Sequence, residues 1–71
     1  MTKSEIIFEV IESSEGGWEA RALGYSIHTQ AETVEELKDM VRDAVQCHFA
    51  DENERPRVIR LHMVRDELIS A

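Results

Sequence analysis

Seventy-one residues make at most one domain, and a chain this short buries only about 60% of the surface that its unfolded form exposes. Fifteen acidic side chains against eight basic ones leave a net charge of −7, the wrong sign for neutralising phosphates, so direct nucleic-acid binding is not expected. A single cysteine, Cys47, allows no internal disulfide and no zinc-type spacing, which leaves self-association as the support for a small core.

The chain opens on the polar stretch Met1 to Ser4. It shows neither a secretory leader nor an apolar run of membrane-spanning length, and a cytoplasmic protein is expected. Residues 5–12 are rich in β-branched side chains and read as a first strand, with Ile6, Phe8 and Val10 on one face and Ile7, Glu9 and Ile11 on the other. Ser13-Ser14-Glu15-Gly16-Gly17 is a turn signal. Residues 18–23 form the second strand, with Trp18, Ala20 and Ala22 inward and Glu19 and Arg21 outward. After Gly24, residues 25–30 read as a third strand with Tyr25 and Ile27 inward.

The hydrophobic period then changes from two to 3.6. Thr33-Val34-Glu35-Glu36 fits a capping box. Val34, Leu37, Val41, Ala44, Val45 and His48 form one helical stripe, with Met40 and Phe49 at its margins. Glu35, Glu36, Lys38, Asp39, Arg42 and Asp43 cover the opposite face. The helix should end near Phe49, before a polar stretch closed by Pro56. Residues 57–65 form strand four, in which Ile59, Leu61 and Met63 alternate with Arg60 and His62, and residues 66–71 form a short extension.

These elements predict an α+β fold: a two-layer sandwich, β-β-β-α-β, with one amphipathic helix on a four-stranded mixed sheet, all within a single domain of residues 1–71. A right-handed crossover would place strand four parallel to strand one, in the order 3-2-1-4. The sheet face away from the helix would carry Glu9, Glu19, Arg21, Ser26, His28, Arg60 and His62, but also Ile7, Ile11, Leu23, Val58 and Val64. In that order Ile7 and Ile11 would neighbour Val58 and Val64, and such a contiguous apolar patch with charged margins marks an interaction surface.

Catalytic constellations are absent from the pattern. Cys47 and His48 are adjacent, so on a helix they diverge by about 100°, and no histidine pair sits at i, i+4. His28 and His62 fall on opposite edges of the expected sheet. Gly16-Gly17 lacks the length and the lysine of a phosphate loop, and Cys47 reads as a buried small hydrophobe. The expectation is a non-enzyme without cofactor or metal. It would bind through the acidic helix face (Glu35, Glu36, Asp39, Asp43) and the mixed sheet face around Ile7, Ile11, Arg60 and His62. The negative charge suits a basic protein partner.

Three segments carry a resemblance: Phe8-Glu9-Val10, Glu15-Gly16-Gly17-Trp18-Glu19-Ala20, and Thr29-Gln30-Ala31-Glu32-Thr33-Val34-Glu35-Glu36-Leu37. Over residues 6–50 the sequence resembles the N-terminal, toxin-binding domain of HicB-type antitoxins. Where that family has a Pro-Asp-Leu-Pro-Gly-type loop, this chain has Arg21 to Ser26, and Ala31 stands where a glycine is usual. Full-length family members append a DNA-binding module, whereas about twenty residues follow the helix here, half of them strand four. The resemblance implies a partly double-stranded-RNA-binding-domain-like fold that neutralises a small basic ribonuclease toxin and is itself a homo-oligomer, most simply a dimer. The alternative is a stand-alone oligomeric accessory or regulatory protein with no toxin partner.

Overall fold

The computed structural model describes residues 5–65 and 68–71. Strand β1 (Glu5–Glu12) turns Ile6, Phe8 and Val10 to the interior, all three essentially without solvent contact. It pairs antiparallel with β2 (Trp18–Ala22), matching Phe8 with Ala22 and Glu12 with Trp18. The hairpin closes through Ser13 N–H donating to Gly17 O at 2.9 Å and Gly16 N–H to Ser13 O at 3.1 Å. Gly17 has φ +84°, and a Cβ there would lie 2.8 Å from the Ala31 carbonyl oxygen. Glycine is therefore required twice over, by backbone conformation and by the close approach of the third strand.

Strand β3 (His28–Ala31) pairs antiparallel with β2 and starts three residues later than the pattern predicts. The reason lies in the turn. Ala22 N–H donates to Ile27 O at 3.0 Å, so Leu23 to Ser26 are spent on the loop, with Gly24 at φ +86°. Tyr25, released from the sheet, packs edge-on against Phe49 and His48 at ring-centroid distances of 5.3 and 5.7 Å. Ile27 is buried as expected. Strand β2 ends at Ala22, one residue short of the expectation, for the same reason.

Helix α1 (Val34–His48) begins where Thr33 Oγ1 accepts from Glu36 N–H at 3.1 Å. Only the threonine half of the expected capping box is formed; the Glu36 carboxylate makes no return bond to Thr33. The threonine bond alone stabilises a helix start by about 1 kcal/mol. At the other end Arg55 donates from Nε and Nη2 to the Phe49 carbonyl at 3.3 and 3.2 Å, satisfying a carbonyl that the helix leaves open. Leu37, Val41 and Val45 are the buried stripe, while Val34 and Ala44 are half-buried and His48 is exposed. Cys47 is exposed rather than buried, because each helical residue turns by 100° and position 47 falls outside the Leu37–Val41–Val45 stripe.

Strand β4 (Val58–Val64) runs parallel to β1 in the order β3-β2-β1-β4, the expected topology, with Glu5 opposite Val58 and Ile11 opposite Val64. The helix lies over β2 and β3, not over β4. Ile59 and Leu61 therefore reach the core only from its margin, and Met63, expected to face inward, is 47% exposed. Residues 68–71 have no regular secondary structure, and the rest of the expected extension, residues 66 and 67, lies outside the described residues. No helix among the described residues is long and apolar enough to cross a membrane.

Three substitutions test this account. Gly17→Ala should destabilise the fold by about 1–3 kcal/mol, and Gly16→Ala, whose added carbon meets open space, by less. Urea denaturation followed by Trp18 fluorescence measures both. Thr29 Oγ1 is buried without a hydrogen-bond partner, so Thr29→Val should raise stability by about 0.5–2 kcal/mol. A lower melting temperature for that variant would contradict an unpaired hydroxyl.

Candidate protein-binding site

The residues singled out in the sequence fall on two opposite surfaces. Glu35, Glu36, Asp39 and Asp43 are all exposed on the outer side of α1, where the first turn also suits acids because of the helix dipole. Ile7, Ile11, Arg60 and His62 lie on the open sheet face, on the far side of the core. They form no common site.

The helix acids divide further. Glu35 accepts from Lys38 at 3.5 Å and Asp39 from Arg42 at 3.1 Å, both exposed i,i+3 pairs that contribute little to stability. Glu36 and Asp39 line an open groove of about 530 Å³ between α1 and the β3 edge, together with Glu32, Met40, Gln30 and Ala31. No basic side chain among the described residues lines it. Glu32 and Met40 were not singled out in the sequence. Glu32 belongs to the short link between β3 and α1, and only the packing of that link beside the helix brings it into the same groove as the other two.

The open sheet face corrects one expectation. Ile11 does face Val64, but Ile7 faces Arg60, and Glu9 faces His62 between them. A polar row, His28–Arg21–Glu9–His62, crosses all four strands. It splits the predicted continuous apolar patch into two smaller ones. Glu19 and His28 add a side-chain contact at 3.3 Å on this face, and Glu5 hydrogen-bonds Arg60. Among the described residues, no group of three or more His, Cys, Asp or Glu side chains is arranged to hold a metal.

A second groove, of about 490 Å³, runs on the other flank of α1, between the helix and the start of β4. Its walls are Val41, Val45, Pro56, Ile59 and Leu61, and its rim is Lys38, Arg42, Arg55 and Arg57. Half of the chain's eight basic side chains thus surround one groove that no acid among the described residues lines. The helix separates an acidic groove from a basic one.

A UPF0150 protein of Thermotoga maritima is 44% identical to this chain over 69 residues, which covers 97% of this chain and 96% of the relative. The chain belongs to the UPF0150 family. A second UPF0150 protein, from Archaeoglobus fulgidus, is 57% identical over 53 residues, 75% of this chain and 77% of that one. No family model and no solved structure matches the chain. Membership of UPF0150 therefore enters beside the geometry without assigning a partner to either groove.

The Glu5–Arg60 contact gives the UPF0150 domain one testable pH dependence. The hydrogen bond from Arg60 holds the Glu5 carboxyl below the usual carboxylate range, against desolvation and with a lesser contribution from the guanidinium charge. A folded-state pKa below the unfolded one contributes stability that is fully present above the ordinary carboxylate value and is lost as pH falls through the depressed one. Glu5→Gln should therefore flatten the acid limb of the stability curve and leave the neutral and alkaline limbs parallel to wild type. Melting temperatures from pH 7 down to about pH 3 measure this.

Proposed function

We propose that the protein is a HicB-type antitoxin domain that binds and neutralises a small basic ribonuclease in the cytoplasm, acting by association rather than catalysis. The observation that carries this reading is the acidic groove at the β3 edge. Three acids, Glu32, Glu36 and Asp39, line it together with the exposed Met40. Acids beside an apolar anchor suit a partner whose own site is built from lysine and arginine for RNA, and methionine adapts to irregular contact surfaces. The β3 edge beside the groove can also accept an extended segment of the partner by strand addition. The β-β-β-α-β order agrees with the fold that the resemblance implies, and the net charge of −7 steers a cationic partner toward the domain.

The test is capture of the partner from the protein's own host by the tagged chain, followed by an RNA-cleavage assay. The expected result is a small basic protein whose nuclease activity the wild-type chain suppresses. Glu36→Lys combined with Asp39→Lys should weaken binding by about tenfold or more, and added salt should weaken the wild-type complex. A captured protein without nuclease activity, or an affinity indifferent to both charge reversal and salt, would remove the reading.

A second reading, an oligomeric accessory protein without a toxin, draws on the aliphatic side chains Ile11 and Val58 left exposed on the open sheet face.

A further inference from the structure

We infer that the β4 edge is the docking site for an extended segment of a second protein, acidic and aliphatic in character. The segment adds to the sheet as a fifth strand and sets its side chains into the basic groove. This site does not rest on the ribonuclease reading, because the acidic groove lies at the opposite edge of the sheet and suits a partner of the opposite charge.

Strand β4 ends the sheet, and the described residues leave its outer backbone groups without a partner. Such an edge is a template for another strand, and proteins blunt it with a proline, a bulge, a very short strand or a projecting charge. None of these devices protects β4. Its seven residues pair with β1 in unbroken register from Val58 to Val64, and Pro56 lies before the strand. Its arginine, Arg60, is drawn back across the sheet by Glu5 of β1. The helix is displaced toward β2 and β3, so the inner face of β4 lacks the cover that β1 receives. Ile59 and Leu61 are only half-buried there, and Met63 is 47% exposed. A strand laid along β4 brings every second side chain to that same face, beside those three residues. Aliphatic side chains at these positions would complete the cover.

Charge selects the segment. At the start of β4 the groove is rimmed by Lys38, Arg42, Arg55 and Arg57, and no acid among the described residues lines it. Lys38 and Arg42 stand one turn apart on the same side of α1. Their pairs with Glu35 and Asp39 are exposed, so exchanging them for an incoming carboxylate costs little. Arg55 is held in place by the Phe49 carbonyl before any partner arrives. Arg57 makes no hydrogen bond or ion pair among the described residues, and it continues the alternation of Ile59, Leu61 and Met63 beyond the strand. A cationic segment would be repelled here, and a purely aliphatic one would leave the four charges unanswered. Antiparallel addition gives the more stable ladder and runs the segment from Val64 toward Val58. Its inward positions are then aliphatic beside Met63 and Leu61, and acidic beside Ile59 and Arg57, where the groove of about 490 Å³ receives them.

The probe is a short peptide with capped ends, in which threonines separate the inward residues valine, leucine, glutamate and glutamate in that order. The full-length chain should bind it with a dissociation constant of about 1 mM or tighter, less tightly in added salt, and with slower amide exchange along β4. Lysines in place of the two glutamates should abolish binding. Lys38→Glu combined with Arg57→Glu should weaken it by about tenfold or more; both positions are exposed, and circular dichroism checks that the variant is folded. Methylation of alternate backbone nitrogens of the peptide separates strand addition from simple adhesion. In one of the two alternating sets the methyl groups meet β4 and should abolish binding, whereas in the other they face solvent and should leave it intact. Absence of binding overturns the inference, as does equal binding of the lysine peptide, indifference to the double variant, or like behaviour of the two methylated sets. Slower exchange along β3 in place of β4 overturns the site. Protection of β4 that needs no peptide and rises with protein concentration gives the edge to a second copy, and overturns the inference too.

Discussion

The parallel pairing of β4 with β1 is the constraint on which the other features depend. Two parallel strands cannot be joined by a tight turn, so the chain between the β3 edge and the far edge of the sheet must cross the face, and α1 is that crossing. Its stripe of Leu37, Val41 and Val45 buries Ile6, Phe8 and Val10 of β1 together with Ala20 and Ala22 of β2. Small residues on β2 let the helix approach the sheet closely, while the large side chains of β1 fill the space at its centre. The two facts are complementary, and neither strand alone would define the seat of the helix.

Because α1 lies over β2 and β3, the sheet is covered unevenly. The uncovered strip along β4 becomes a groove, and the polar loop after the helix supplies its rim. Arg55 illustrates how local and tertiary demands coincide. Its guanidinium closes the Phe49 carbonyl at the helix end and in the same position adds a charge to that rim. On the other flank, the link from β3 into the helix brings Glu32 beside Glu36 and Asp39. An acidic chain has thus sorted its charges by flank of a single helix.

Much of the fold could be read from side-chain periodicity. The alternation in residues 5–12 and the 3.6-residue stripe from Val34 to Val45 are strong because each face has one solvent and one environment. Strand β3 was displaced because Tyr25 and Ile27 alternate as a strand should, while Gly24 and the Ala22–Ile27 hydrogen bond take Tyr25 out of the sheet and into contact with Phe49 and His48. Aromatic packing of that kind joins residues more than twenty positions apart, beyond the reach of any local pattern. Cys47 was misplaced for a related reason. A cysteine's type favours burial, but its angle around the helix decides.

Taken alone, the sequence determined the number, type and order of the elements, the two faces of β1, the threonine-capped start of α1 and the acidity of the surface. These depend on local steric preference and on hydrophobic period, both written in neighbouring residues. Only the tertiary structure decided that Ile7 opposes Arg60, that a polar row divides the open sheet face, and that Glu32 joins the helix acids. It alone also decided that half the cations ring one groove. Register and helix placement govern all four. Each is set by the packing of side chains distant in the chain, whose sum no window of sequence contains.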